Sequence, residues 1–263
     1  LRAICCSICE KNSGHTFTNR RFCVTLEWKG SAAMARKIIT FSFDDGVTDD
    51  VRLIELFNRY GLKGTFNLNS GTLSDMCSRW KYVGGMRGEK CKDVTHYNFF
   101  KHQNLYDGHE IAVHTHTHPH MTSLSYDDQY AEIWLDKKFL STLCDYEIVG
   151  MATPFGEQNA ETVRAMQACG IRYCRSTHST YKFDFPTEFP LFDPTCSFID
   201  PRRTELAEEF LTNNRDTDML FYIWGHSYEL VTRQDWADFE EFCKLISHRE
   251  GVEYLTNREA FGM

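Results

Sequence analysis

Apolar residues alternate with small polar ones over residues 38–43, Ile-Ile-Thr-Phe-Ser-Phe, and the run ends in Asp44, Asp45 and Gly46. That alternation predicts a strand with two carboxylates at its C-terminal end and a turn at the glycine. From Asp49 to Tyr60 the spacing becomes helical, with Val51, Ile54, Leu56 and Phe57 recurring, acids at the start and Gly61 at the end. A second strand is read at 64–68. Residues 69–100 are rich in Gly, Ser, Lys and Asp, contain Trp80, Tyr82 and Tyr97, and read as a long excursion. Further strands are expected at 110–113, 147–152, 171–175, 219–225 and 252–255. Helices are expected at 125–143, 158–169, 203–213 and 232–248, while 183–200 reads as irregular.

Strands that alternate with helices imply a parallel sheet. Seven or eight such units imply an α/β fold of the distorted (β/α)7-8 barrel type rather than an open sheet. In such barrels the reactive side chains sit at the C-terminal ends of the strands. Asp44, His114, Thr153 and His226 all fall at such ends.

The chemistry on offer begins with the two carboxylates. Neighbours on a strand point to opposite faces, so one can hold a metal while the other acts as a base. Residues 109–120 then carry five histidines, His109, His114, His116, His118 and His120. Imidazole is the commonest side-chain metal ligand, and catalytic zinc usually takes three protein ligands and keeps one position open. Two histidines and a carboxylate meet that count. His114 and His118 converge if the chain turns helical after the strand at 110–113. If it stays extended, His114, His116 and His118 share a face.

Four segments carry a family resemblance. Phe43-Asp44-Asp45-Gly46 resembles the first motif of the polysaccharide deacetylases, the NodB-homology group also called carbohydrate esterase family 4. His114-Thr115-His116-Thr117-His118 is similar to the second motif, and Met151-Ala152-Thr153-Pro154-Phe155-Gly156 stands where the third belongs. Phe221-Tyr222-Ile223-Trp224-Gly225-His226 resembles the fifth, in family order and spacing. The match spans roughly Arg36 to Leu255.

The resemblance implies a TIM-barrel-like fold and a role for each matched residue. Asp44 corresponds to the general base. Asp45, His114 and His118 correspond to the ligands of one divalent transition metal, zinc first, with cobalt or nickel as alternatives. His226 corresponds to the general acid. Phe155, next to Pro154, corresponds to the aromatic whose backbone N–H helps hold the oxyanion. Trp224 is read either as pocket border or as strand core. The implied reaction is removal of acetyl from an N-acetylated carbohydrate, ahead of an O-acetylated one. Two alternatives stand beside it: cleavage of another non-peptide C–N bond on the same fold, and a carbohydrate-binding relative with impaired catalysis.

The chain departs from the pattern twice. Ala152 replaces the arginine that orients the base in the third motif. Arg175 is the candidate substitute, ahead of Arg172. The fourth motif, which supplies a carboxylate to the acid histidine, has no clean match. Asp184 is preferred for that part over Asp193.

Composition narrows the rest. The 263 residues make one large domain or two small ones, and the net charge of −8 argues against a nucleic-acid partner. Residues 1–33 carry +3 and four of the 11 cysteines, Cys5, Cys6, Cys9 and Cys23. They lie outside the resemblance and are read as an N-terminal extension, with 34–263 as the catalytic domain. Cys6 and Cys9 have the spacing of half a zinc site without a second pair. The extension holds no long apolar run, so neither a signal peptide nor a membrane span is read there. An odd, scattered set of cysteines suits a reducing compartment, and a cytoplasmic location is expected. Cys144, Cys169, Cys174 and Cys243 are expected to act as small buried hydrophobes.

Overall fold

The computed structural model describes residues 35–73, 79–84, 90–98 and 104–263. The expectations for 1–33, and the boundary after them, lie outside the described residues.

Strand β1 (Lys37–Asp44) is buried along almost its whole length. Its pleat separates two environments. Ile39, Phe41 and Phe43 face a large core that also takes in residues of the helices. Thr40, Ser42 and Asp44 are buried on the opposite face. Helix α1 (Asp50–Tyr60) follows and ends at Gly61, whose φ of 63° is the left-handed conformation that glycine adopts without cost. The other elements are β2 (Thr65–Leu68), β3 (Arg79–Gly84), β4 (Lys90–Thr95), β5 (Glu110–Val113), α2 (Tyr126–Leu140), β6 (Gly150–Ala152), α3 (Ala160–Ala168), β7 (Tyr173–Arg175), β8 (Cys196–Ser197), α4 (Arg203–Thr212), β9 (Met219–Gly225), α5 (Arg233–Ile246), β10 (Val252–Tyr254) and α6 (Asn257–Ala260). Helices α2, α3 and α5 open on side-chain caps at Ser125, Asn159 and Thr232, which satisfy backbone N–H groups that have no helical partner.

The strands pair in parallel in the order β7-β6-β5-β2-β1-β9-β8. β1 forks: Lys37–Ile39 pair with β10, whereas Ser42–Asp44 pair with β2. The sheet curls into an incomplete barrel, and irregular chain bridges its open side. Phe192 N–H donates to Cys174 O at 3.0 Å, Ser176 N–H to Phe192 O at 2.8 Å, and Thr195 N–H to Tyr222 O at 2.9 Å. This is the distorted α/β barrel that the alternation predicts.

Three features lie beyond the predicted elements, the first being β8, which pairs in parallel with β9 inside the stretch read as irregular. The excursion at 69–100 contains an antiparallel hairpin, β3 with β4. The C-terminal α6 sits against the polar residues of the inner face. Buried Asn257 accepts from Thr40 Oγ1 at 2.7 Å and donates to the Tyr222 hydroxyl at 2.5 Å. Glu110 accepts from Thr65 Oγ1 at 2.8 Å, Tyr173 OH at 2.7 Å and Arg258 N at 2.8 Å. A buried carboxyl needs such partners. Of the cysteines expected to pack as hydrophobes, Cys169, Cys174 and Cys243 are buried and Cys144 is half-buried. Among the described residues, no helix is long and apolar enough to cross a membrane.

Candidate active site

The C-terminal ends of β1, β5 and β9 deliver their side chains to one place. Immediately after β1 the backbone turns left-handed, with φ of 79° at Asp45 and 62° at Gly46. Aspartate tolerates this conformation better than most residues. At Gly46 a Cβ would also approach Leu68 Cδ2 to 2.9 Å, so any side chain there would have to push the Leu68 side chain aside. The turn sends the two carboxylates to different partners.

Asp44 faces a cation. It is 3% exposed and Arg175 is 1% exposed. Arg175 Nη2 donates to both Asp44 oxygens at 2.5 Å, and Asn67 Nδ2 donates to Oδ1 at 2.8 Å. Arg175 Nη1 donates to Ser176 O at 3.0 Å, and the guanidinium lies 4.6 Å from the Trp224 ring centre. Burial opposes ionisation of Asp44, but the charge of Arg175, aided by His114 and His226, holds its carboxyl below the usual range.

Asp45 faces the histidines. Its Oδ1 lies 3.5 Å from His114 Nε2 and 3.4 Å from His118 Nε2. The three side chains form a group able to hold a metal ion. Ligand bonds of about 2.0–2.2 Å in a tetrahedral arrangement imply ligand–ligand edges of about 3.4 Å, so these spacings fit. His114 Nδ1 sits 2.7 Å from Ala152 O. A proton there leaves the Nε2 lone pair free for a metal, the usual support for a metal-bound histidine. Burial, with repulsion from His114 when that ring is charged, lowers His118 to about 4 and favours its neutral form. Burial opposes a charge on His114 too, but Asp44 and Asp45 raise its pKa, and a metal would have to displace its Nε2 proton.

Convergence of His114 and His118 does not need a helical turn. The segment after β5 is irregular, with left-handed residues at Thr115 (φ 69°) and His118 (φ 59°). Asp136 secures its start by accepting His114 N–H at 3.0 Å and Ser70 N–H at 2.7 Å. Burial pushes Asp136 up to about 7 against the pull of these donors. His116 is held elsewhere, its Nδ1 2.9 Å from Ser70 Oγ. His118→Ala is therefore expected to lose a bound metal and His116→Ala to keep it, as measured by metal content of the purified variants.

His226 Nε2 lies 3.9 Å from Asp44 Oδ2 and from Asp45 Oδ2. Its Nδ1 is 3.3 Å from Glu229 Oε2, off the line of a good hydrogen bond, so the coupling there is chiefly one of charge. The same oxygen accepts the His226 backbone N–H at 2.9 Å. Burial disfavours the imidazolium, but Glu229, with Asp45 and Asp44, raises His226 to about 9. The next residue, Ser227, donates to buried Asp50 at 2.6 Å, which ties this loop to the start of α1.

Asp184 is not brought to His226. Its side chain is 63% exposed and pairs with Arg215 at 2.6 Å. Asp193 is also exposed, and it accepts from Ser176 Oγ. The carboxylate beside His226 is Glu229, three residues away on the same turn. Arg172 is exposed. Pro154 is buried, while Phe155 is 54% exposed beside the cluster. The Phe155 ring stands 4.7 Å from that of His118 and stacks on His120 at 4.1 Å. Its φ of 57° is a strained value for a bulky residue. Trp224 is half-buried, with its ring 5.8 Å from that of His226, so it borders the cluster.

Glu229 and Asn67 were not singled out from sequence. Asn67 could have been, because it sits at the C-terminal end of a barrel strand. Glu229 closes a capping box with His226, a pattern usually sought at Ser or Thr.

A family model described as polysaccharide deacetylase matches residues 31–174, more than half of the chain. A comparison with curated proteins finds no match. Among solved structures, the chain is similar to a family 4 carbohydrate esterase from Streptomyces lividans in complex with acetate. Identity is 14%, coverage is 82% of this chain and 90% of that one, and the TM-score is 0.51. Peptidoglycan deacetylase PdaC from Bacillus subtilis gives 14% identity over 86% and 91% of the two chains, with a TM-score of 0.52. A 4-alpha-glucanotransferase from Thermococcus litoralis gives 13% identity over 87% and 40%, with a TM-score of 0.61. Likeness at these identities is likeness of fold, and one fold hosts several chemistries.

Proposed function

The chain belongs to the polysaccharide deacetylase family, and on that premise we propose that it is a metal-dependent hydrolase that removes acetyl groups from an N-acetylated carbohydrate. An O-acetylated carbohydrate is the second substrate class. The observation that carries the reading is the meeting of three kinds of group at the strand ends: a buried carboxylate paired with arginine, an Asp-His-His group with metal-ligand spacing, and a histidine coupled to a carboxylate.

The division of labour follows from these surroundings. Asp45, His114 and His118 would hold the cation, which when bound polarises a carbonyl and eases deprotonation of water. Asp44 is kept ionised by Arg175 and can accept a proton from the attacking water. Its position is fixed from Arg175 and Asn67 rather than left to a flexible contact. The backbone N–H of Phe155 is assigned to the developing oxyanion, where a donor fixed in advance is worth most. His226 holds a proton at neutral pH and gives it to the departing nitrogen, since an amine leaves poorly without one.

The pH dependence has a definite sign. The acid works only while protonated, so turnover falls as pH rises through the His226 pKa. Glu229 raises that pKa, so Glu229→Gln is expected to move the alkaline limb of the kcat/KM profile toward neutral pH. An unmoved limb would detach Glu229 from the acid.

Loss of the third-motif arginine was the basis for an impaired relative. Arg175 against Asp44 counts against that reading, because the base does have a cation. Acetate release from acetylated chito-oligosaccharides, measured with and without chelator, tests the proposal.

A further inference from the structure

Tyr228 is not part of the chemistry just described, yet it touches two of the groups involved. Its hydroxyl donates to Asp45 Oδ2 at 3.1 Å, and its ring stacks on that of His226 at 4.9 Å with 26° between the planes. The side chain is buried. Trp80 and Tyr82, both on β3, meet the ring edge to face at 5.6 and 5.0 Å. Val47 and Val94 complete this small apolar cluster. The hairpin is itself tied to the loop after Gly46. Thr48 N–H donates to Thr95 O at 2.9 Å, Tyr97 N–H to Gly46 O at 2.8 Å, and Lys92 Nζ to Asp49 at 2.6 Å.

We infer that Tyr228 is a positioning residue that makes Asp45 a one-oxygen metal ligand, with the β3–β4 hairpin holding it in place. The inference rests on the proposed metal site. A free carboxylate can turn about its Cβ–Cγ bond and offer either oxygen, or both. Here Oδ1 faces His114 Nε2 and His118 Nε2, and Oδ2 is occupied by the phenol. The hydroxyl thus fixes which oxygen points to the cation and keeps the second from taking up a coordination position. The aromatic contacts supply the stiffness: a tyrosine wedged between the hairpin and His226 cannot swing its hydroxyl away. Hydrogen-bond partners behind metal ligands typically govern affinity by about 10–100-fold.

Tyr228→Phe keeps the ring and its packing and removes only the hydroxyl. Zinc affinity of the full chain is read by competition with a chromophoric chelator, and thermal unfolding of the metal-free protein serves as the folding control. The expected result is zinc binding weakened about 10–100-fold in a variant that still folds. Affinity within about twofold of wild type would overturn the inference, since a tyrosine that only packs has no need of its hydroxyl. Wild-type protein that binds no zinc would instead refute the metal site beneath it, so the two failures are distinguishable. Trp80→Ala, which withdraws one wall of the ring's seat, is expected to weaken zinc binding in the same direction; unchanged affinity would remove the hairpin from the account.

Discussion

Asparagine in place of Asp44 is expected to cut acetate release by roughly 10²–10⁴-fold, the usual worth of a general base, while leaving metal content unchanged. The substitution keeps an oxygen for Arg175 and Asn67 to bond, so the pocket keeps its shape. It removes the basic site. Asp45 cannot take over, because its Oδ1 faces the two ligand histidines and its Oδ2 accepts from Tyr228. Near-normal turnover in Asp44→Asn would mean that the proton goes elsewhere. Lost activity together with lost metal would mean that Asp44 is a ligand. Turnover and metal analysis on the same preparation separate these outcomes.

Replacing Arg175 by methionine is expected to be the most damaging change to stability at the site, about 3–5 kcal/mol. Neither partner of the pair touches solvent appreciably. A buried pair gains little over apolar residues as a whole, but removing one member strands the other charge in a low-dielectric surrounding. Burial works against the charge on Arg175, and Asp44 restores it. The stranded Asp44 would hold its proton to higher pH, so less of it would be ionised and ready to act as base. Denaturant unfolding measures the loss. The double variant with Asp44→Asn should lose less than the two single losses added together, because the charges then leave together. Additive losses would show that the two residues are not coupled.

Much of this was legible because the barrel repeats a simple rule. The alternation in β1 marks one face for the helices and one for the interior, and the run ends where its carboxylates are needed. The strand-end rule by itself puts Asp44, His114 and His226 at one end of the barrel. Arg175 was reachable by the same rule, as the last residue of β7.

The missed features depend on contacts that no local pattern records. The helical turn offered for His114 and His118 fails because left-handed backbone at Thr115 and His118 does the work instead. The segment is held by residues far along the chain: Asp136, 22 residues on, accepts the His114 N–H, and Asn69 donates to His114 O and Thr115 O. Asp184 was preferred as the carboxylate for His226, but it faces solvent and Arg215. The carboxylate at His226 is close in sequence and was overlooked because the family pattern directs attention upstream. The hairpin and α6 are short; the hairpin's aromatic residues gain meaning only against Tyr228, and Asn257 of α6 only against Thr40 and Tyr222 on the inner face of the sheet.

The central claim is that Asp45, His114 and His118 hold a metal on which deacetylation depends. The most direct test is acetate release from acetylated chito-oligosaccharides by wild-type protein before chelation, after it, and after return of zinc. Activity that disappears with chelator and returns with zinc is the predicted result. Acetate release that is indifferent to chelator, from protein containing no transition metal, would contradict the account.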